Sequence, residues 1–143
     1  MIREIPTYLV PEFWPLVDSL FEKALEHHPH LNIDGLKHLL LTGRAELILV
    51  IEHTIVAGIV MESVRYPSEM VGNIVAAAGN VGSLASHGER IEKYLEEWCL
   101  MRNLSTISML GRAGWSTFLT RHGWQTQPSL VAWKELRPHV VRN

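Results

Sequence analysis

The 143-residue sequence predicts a mixed α+β (α/β) domain built on a central mixed sheet, in the order β-α-α-β-β-β-α-β-α-β, with helices on both faces. Three observations carry this prediction. Two helical stretches follow one early strand, three apolar β-branched runs then succeed one another with only turn residues between them, and the last part alternates strand and helix. A doubly wound chain would alternate from its start, so the three consecutive strands in the middle are distinctive. With 47% apolar and 20% charged residues, the length suits one domain over 1–143 with a buried core.

The elements follow in order. Residues 3–10 read as the first strand, and Pro11 suits the first position of a helix carrying Trp14, Val17, Phe21, Ala24 and Leu25, which stops near Pro29. A second helix starts at Asn32 as N-cap, presents Leu36, Leu39 and Leu40 on one face, and ends at Gly43. Residues 46–52 and 55–64 form a hairpin of two buried strands around His53 and Thr54, and Gly58 inside the second signals close packing or a bulge. After Pro67 and Ser68, a third strand spans about 70–78, and its Ala76-Ala77-Ala78 run has little side-chain volume, which lets something approach the backbone. Ser86 and Glu89 make a Ser-x-x-Glu capping box for a helix that buries Ile91, Leu95 and Trp98 and closes at Arg102 and Asn103. Residues 106–110 read as a short strand, 114–122 as a short helix ended by Gly123, and 129–136 as a last alternating strand.

Charge and cysteine content narrow the function classes. The net charge is −2 and like charges never run beyond two or three residues, so the sequence lacks the basic footprint of sequence-independent nucleic-acid binding. Arg112, Arg121, Lys134, Arg137 and Arg142 make the C-terminal end somewhat basic, which leaves a nucleic-acid partner open. Cys99 is the single cysteine, which excludes an internal disulfide and a multi-cysteine zinc site and makes the cytoplasm the default expectation. No stretch approaches the ~18 apolar residues of a membrane span, and neither export nor membrane insertion is expected. A homo-oligomer remains open.

The element order, with two early helices, central antiparallel strands and a late βαβαβ unit, resembles the GNAT superfamily of acyltransferases over essentially the whole chain. Within it, IEKYLEEWCLMRN, the Gly-Arg-x-Gly-Trp stretch at Gly111, Arg112, Gly114 and Trp115, and a helix ending in Gly123-Trp124 are similar to a GNAT-like subgroup found mainly in bacteriophages. That subgroup match covers about 45 residues and is a moderately specific motif. The resemblance implies an acyl-CoA cofactor, acetyl-CoA or another, held at the strand-to-helix junction that in this superfamily takes the CoA pyrophosphate. Here that segment is Ala77, Ala78, Gly79, Asn80, Val81, Gly82 and Ser83. Backbone N–H groups at such a junction can hold a phosphate with help from the helix dipole. The superfamily's usual signature is Gln or Arg, two residues, Gly, one residue, then Gly or Ala; this chain has Ala76, Gly79 and Val81 and keeps one glycine of it. The alternative is that Gly79 and Gly82 only let the chain turn. Arg112 offers a cation at the carboxyl end of a strand, or else pairs with a glutamate of the preceding helix, and Trp115 could flank a cofactor arm. Trp98, Trp124 and Trp133 are expected in the core.

Amide-forming acyl transfer needs a base for the acceptor nitrogen and N–H donors for the developing oxyanion. The candidate bases are Glu62, on the strand over 55–64, and Glu69, just before the next strand; either could simply be solvated. The tyrosine acid that many GNAT enzymes carry on the penultimate helix is missing, so Ser116 or a water would substitute. His27, His28 and His30 crowd a helix end around Pro29 at spacings that do not converge on one metal, and no metal is expected. The implied function is an acyl-CoA-dependent N-acyltransferase with a CoA thioester and an amine as partners. The alternative is a catalytically inert GNAT-like phage protein, a virion part or a component acting on a host protein; a phage product would work in the host cytoplasm or be virion-associated.

Overall fold

A computed structural model of the chain describes residues 1–26, 28–110, 116–127, 132 and 134–136. It divides into two compact units, Met1–Leu110 and Gly111–Asn143. The first unit holds β1 (Ile2–Ile5), α1 (Val10–Ala24), α2 (Ile33–Leu41), β2 (Glu46–Ile51), β3 (Ile55–Arg65), β4 (Met70–Gly79), α3 (Ser83–Ser86), α4 (Gly88–Met101) and β5 (Thr106–Met109). The second contains α5 (Ser116–Arg121), which ends at Gly123 with φ +85.

The five strands form one sheet in sequence order, antiparallel from β1 to β4 and parallel between β4 and β5. Alternation along the strands sorts side chains into two cores. Leu47, Leu49, Val60, Ala76 and Ala78 face α1 and α2, where Trp14, Val17, Phe21, Leu36 and Leu40 complete one core. Ile48, Val50, Ala57, Ile59 and Met61 face α4, where Ile91, Leu95, Trp98 and Cys99 complete the other. Gly58 is the close-packing position anticipated: a Cβ there would lie 2.8 Å from Phe21 Cζ, so the ring of α1 uses the space of the absent side chain.

Register carries one irregularity that matters for the site. Val60 pairs with Ala76 but Met61 pairs with Ile74, so Val75 is an extra residue in β4. Val75 and Ala76 therefore both pack on the α1/α2 side, while Ile74 and Ala77 pack on the α4 side.

Two expectations are corrected, and a third lies mostly outside the described residues. The first strand ends at Ile5 rather than Val10, because Pro6 has no N–H for the ladder and its carbonyl instead accepts from Leu9 N at 2.9 Å in a short 3₁₀ turn leading into α1. The Ser86–Glu89 capping box does not form: Ser86 closes α3, its Oγ donates to Ser83 O at 3.2 Å, and His87 takes the N-cap of α4 without a side-chain cap. The last strand over 129–136 falls largely outside the described residues, and Ala132, Lys134, Glu135 and Leu136 lie in no regular element. Elsewhere the chain's own signals are realised. Asn32 Oδ1 accepts from Gly35 N at 2.8 Å, and Asn103, at φ 58, ends α4 in the left-handed region.

Candidate functional site

The parallel pairing of β4 with β5 covers only Val71 to Ile74 against Thr106 to Met109. β4 continues through residues 75–79, where it pairs with β3 alone among the described residues. Its backbone groups on the side away from β3 are thus left without a strand partner, and the bulge at Val75 begins where the two strands stop pairing. The alanines there serve packing: Ala76 and Ala78 are buried against the α1/α2 core, so what their small size lets approach on that face is α1.

Past the end of β5, Gly79 ends β4 and Asn80 N donates to Val56 O at 2.9 Å, anchoring the turn to β3. Val81 is fully exposed, and Gly82 sits at φ +78, a conformation costing most residues about 1 kcal/mol. Ser83 N donates to Asn80 O and Ser86 N to Gly82 O, both at 2.9 Å. Among the described residues no acceptor bonds the amides of Val81, Gly82, Leu84 or Ala85. A short row of free N–H groups at the end of a strand is a chemical match for phosphate oxygens.

On the α1/α2 side of the sheet, Glu62 of β3, Asn73 of β4 and Ser108 of β5 are direct neighbours across the strands. Asn73 Nδ2 donates to Glu62 Oε1 at 3.0 Å, and Ser108 Oγ donates to Asn73 Oδ1 at 3.1 Å. All three are half-buried. This rung lies one residue before the last β4–β5 pair, Ile74 with Met109.

Glu69 lies elsewhere. It is exposed at the start of β4, and its Oε1 accepts from Thr106 Oγ1 at 2.6 Å and Ser105 Oγ at 3.1 Å, which ties the beginning of β5 to that of β4. At about 3.3 Å per residue, Glu69 is roughly 30 Å along the strand from Gly79. A shallow open depression of about 640 Å³, lined by Arg65, Tyr66, Pro67, Ser68, Glu69 and Met70, occupies that same far end.

Compared with solved structures, the chain resembles acetyltransferases over nearly its full length. An aminoglycoside acetyltransferase from an uncultured soil metagenomic sample, solved with sisomicin, is 14% identical with TM-score 0.69, covering 96% of this chain and 95% of that one. A ribosomal-protein-alanine N-acetyltransferase from Brucella melitensis biovar Abortus 2308 is 15% identical with TM-score 0.67, covering 96% and 99%. A predicted acetyltransferase from Clostridium acetobutylicum, solved with acetyl-CoA, is 16% identical with TM-score 0.69, covering 96% and 95%. The fold is GNAT-like. No protein-family model and no curated protein sequence matches the chain.

Within this GNAT-like fold, a second group of half-buried polar side chains lies on the opposite sheet face and escaped the sequence reading. Glu4 of β1 and Glu46 of β2 converge on Trp98 and Arg102 of α4. Trp98 Nε1 donates to Glu4 Oε1 at 2.7 Å and to Glu46 Oε2 at 2.9 Å; Arg102 Nη2 donates to the same two oxygens at 2.8 and 2.9 Å. The guanidinium also lies 4.0 Å from the centroid of the Trp98 ring. Burial pushes the Glu46 carboxyl above its ordinary value, and its hydrogen bond with Glu4 and that residue's charge push the same way, against Arg102 and Trp98. Sequence periodicity had placed Trp98 in the core and Arg102 at a helix end, both correctly, but no local pattern links position 4 to position 98.

Cys99 is buried, and burial raises its thiol pKa despite the nearby Arg102 charge, so it stays a protonated core residue. His28 Nδ1 accepts from Leu31 N at 2.9 Å and His30 N at 3.1 Å, a local turn-capping role. Among the described residues no three His, Cys, Asp or Glu side chains are grouped to hold a metal, and no helix is long and apolar enough to cross a membrane. Arg112, Trp115, Trp133 and His27 lie outside the described residues, as do the side chains of Ser116, Thr117 and Phe118.

Proposed function

We propose that the chain is an acyl-CoA-dependent N-acyltransferase, with acetyl-CoA as donor and an amine as acceptor. The observation that carries this reading is the edge of β4 over residues 75–79, which runs past the end of β5 at Met109, has no strand partner on that side among the described residues, and leads into the amides of Val81, Gly82, Leu84 and Ala85, for which those residues offer no acceptor. The resemblance in fold to acetyltransferases, one of them solved with acetyl-CoA, supports it.

In this reading the amides that follow Gly79 hold the pyrophosphate of the donor, and the edge of residues 75–79 bonds its amide-bearing arm as a further strand would be bonded. Backbone donors do this without the Gln or Arg that Ala76 replaces. The donor supplies an acyl group activated as a thioester. Glu62 takes one proton from the acceptor ammonium, freeing the lone pair. The nitrogen then bonds the acyl carbon as the carbon–sulfur bond breaks; its second surplus proton goes to the leaving thiolate, giving an amide and a thiol. The proton on Glu62 passes to solvent. Glu69, roughly 30 Å along β4 from the phosphate turn, has the separate task of tying β5 to β4.

The test is thermal unfolding with added acetyl-CoA. At 100 times its dissociation constant a ligand stabilises by about 2.7 kcal/mol, which for a chain of this size raises Tm by roughly 8 °C. Val81→Glu, which adds a negative charge to the exposed turn, should cut the shift without lowering the unliganded Tm. No shift at millimolar acetyl-CoA overturns the reading in favour of an inert fold.

A further inference from the structure

β3 outruns the strand beside it. β2 begins at Glu46, opposite Met61, so residues 62–65 pair with β4 on one side and with no strand on the other among the described residues. The closure of the hairpin fixes which backbone groups are left over. Tyr66 N donates to Glu69 O at 2.8 Å, so Tyr66, Val64 and Glu62 turn their N–H and C=O groups towards β4, and Arg65 and Ser63 turn theirs to the open side. The segment that could have continued β2 is committed elsewhere. Arg44 N and Ala45 N both donate to Leu39 O, at 3.0 and 3.1 Å, which folds it back onto the end of α2. Ser63 and Arg65, both exposed, thus present their N–H and C=O groups in strand geometry to whatever lies alongside.

The side chains give this edge a chemical character. By alternation Ser63 and Arg65 stand on the face of Met61, the α4 side, and Val64 on the other. Among the described residues the Arg65 guanidinium has no hydrogen bond and no ion pair. Glu69, which lines the depression at the hairpin tip with Arg65, is engaged by Thr106 and Ser105. A strand laid along the edge therefore meets a cation, an apolar side chain and a hydroxyl in succession. Its answering residues are an acid opposite Arg65, a β-branched apolar residue opposite Val64 and a hydroxyl opposite Ser63. A second copy offering the same edge in antiparallel register would set Arg65 against a serine and leave both guanidiniums without a carboxylate, so a foreign strand fits better.

We infer that the edge of β3 over residues 62–65 is a docking site for an extended acidic segment of a partner protein, which adds a strand antiparallel to β3 and pairs a carboxylate with Arg65. Arg65 pairs with Met70, at the opposite end of β4 from Gly79, so a docked strand leaves the turn at Gly79 open. The docking site does not rest on the transferase reading.

The experiment titrates the full chain with the capped, fluorescein-labelled pentapeptide TEVTT, read by anisotropy, and follows amide hydrogen exchange by NMR. Binding should slow exchange at Ser63 and Arg65 and leave Val64, already bonded to β4, unchanged. The peptide TKVTT should bind about fivefold to tenfold more weakly, and Arg65→Glu should reverse that preference. Methylating the glutamate nitrogen of the peptide, which faces the edge, should weaken binding about tenfold by removing one hydrogen bond; methylating the central valine nitrogen, which faces away, should change it much less. No binding at millimolar TEVTT, equal affinity for TEVTT and TKVTT, or binding without protection of Ser63 and Arg65 overturns the inference. A dimer in sedimentation that TEVTT dissociates assigns the edge to a second copy and overturns it as well.

Discussion

Both faces of the sheet carry half-buried carboxylates, and they are held in opposite ways. On the α4 face, Glu4 and Glu46 share one guanidinium and one indole N–H, and Arg102 closes the arrangement by bonding Trp98 O at 3.1 Å. On the α1/α2 face, Glu62 has a neutral amide and, among the described residues, no cation. The first group fastens a helix to the sheet through groups that satisfy one another. The second is a chain of neutral and carboxylate hydrogen bonds, without an ion pair among the described residues.

The contrast can be broken by substitution, and the expected effects fall in a definite order. Packing comes first. Gly58→Val drives a side chain into the Phe21 ring and should cost about 3 kcal/mol, read as a Tm fall of roughly 10 °C. A fall of only a degree or two would mean that α1 slides freely on the sheet, and that this face owes its geometry to something else.

Arg102→Ala comes next, since it leaves Glu4 and Glu46 facing each other with only Trp98 to donate. The partial exposure of these side chains tempers the penalty of a broken buried pair to about 2 kcal/mol in denaturant unfolding. Glu62→Gln, by contrast, should leave stability within about 0.5 kcal/mol of wild type, because the amide oxygen still accepts from Asn73. Equal losses in the two variants would erase the distinction drawn between the faces.

A smaller effect tests the electrostatics of the α4 face. The carboxyl pKa of Glu46 is raised on folding, so the folded chain holds that proton more tightly than the unfolded one. The resulting stabilisation is fully present below the ordinary value of 4.5 and is lost as pH rises through the raised value. Measured as Tm against pH, wild type should therefore lose stability relative to Glu46→Gln over that window. The opposite slope would mean that the Arg102 charge outweighs burial at this position.

How much was legible beforehand differs between elements for physical reasons. Helix faces and strand runs were readable because burial imposes a period on local sequence, as at Leu36 and Leu40 of α2 or Ile91, Leu95 and Trp98 of α4. Caps at Asn32 and Asn103 were readable because they act within a turn or two. The end of β1 was misjudged because residues 7–10 are equally compatible with strand and helix until Pro6 is weighed. The capping box failed because Ser86, correct in spacing, was already committed to α3. Of the residues grouped in the candidate site, Glu62 and the turn from Gly79 to Ser83 carry a mark in the chain, whereas Asn73 and Ser108, joined to Glu62 only across strands, carry none.

By itself, then, the sequence determined the element order, the two apolar faces of the sheet and the residue types available for chemistry, since each follows from patterns a few residues long. Only the tertiary structure decided which four residues of β4 pair with β5, that Val75 is the extra residue in its strand, and that Glu4 and Glu46 meet Arg102. Those outcomes depend on register between strands and on contacts spanning up to 98 positions, such as Glu4 with Arg102. A shift of one residue in pairing moves a side chain to the other face of the sheet, and no short window of sequence encodes that choice.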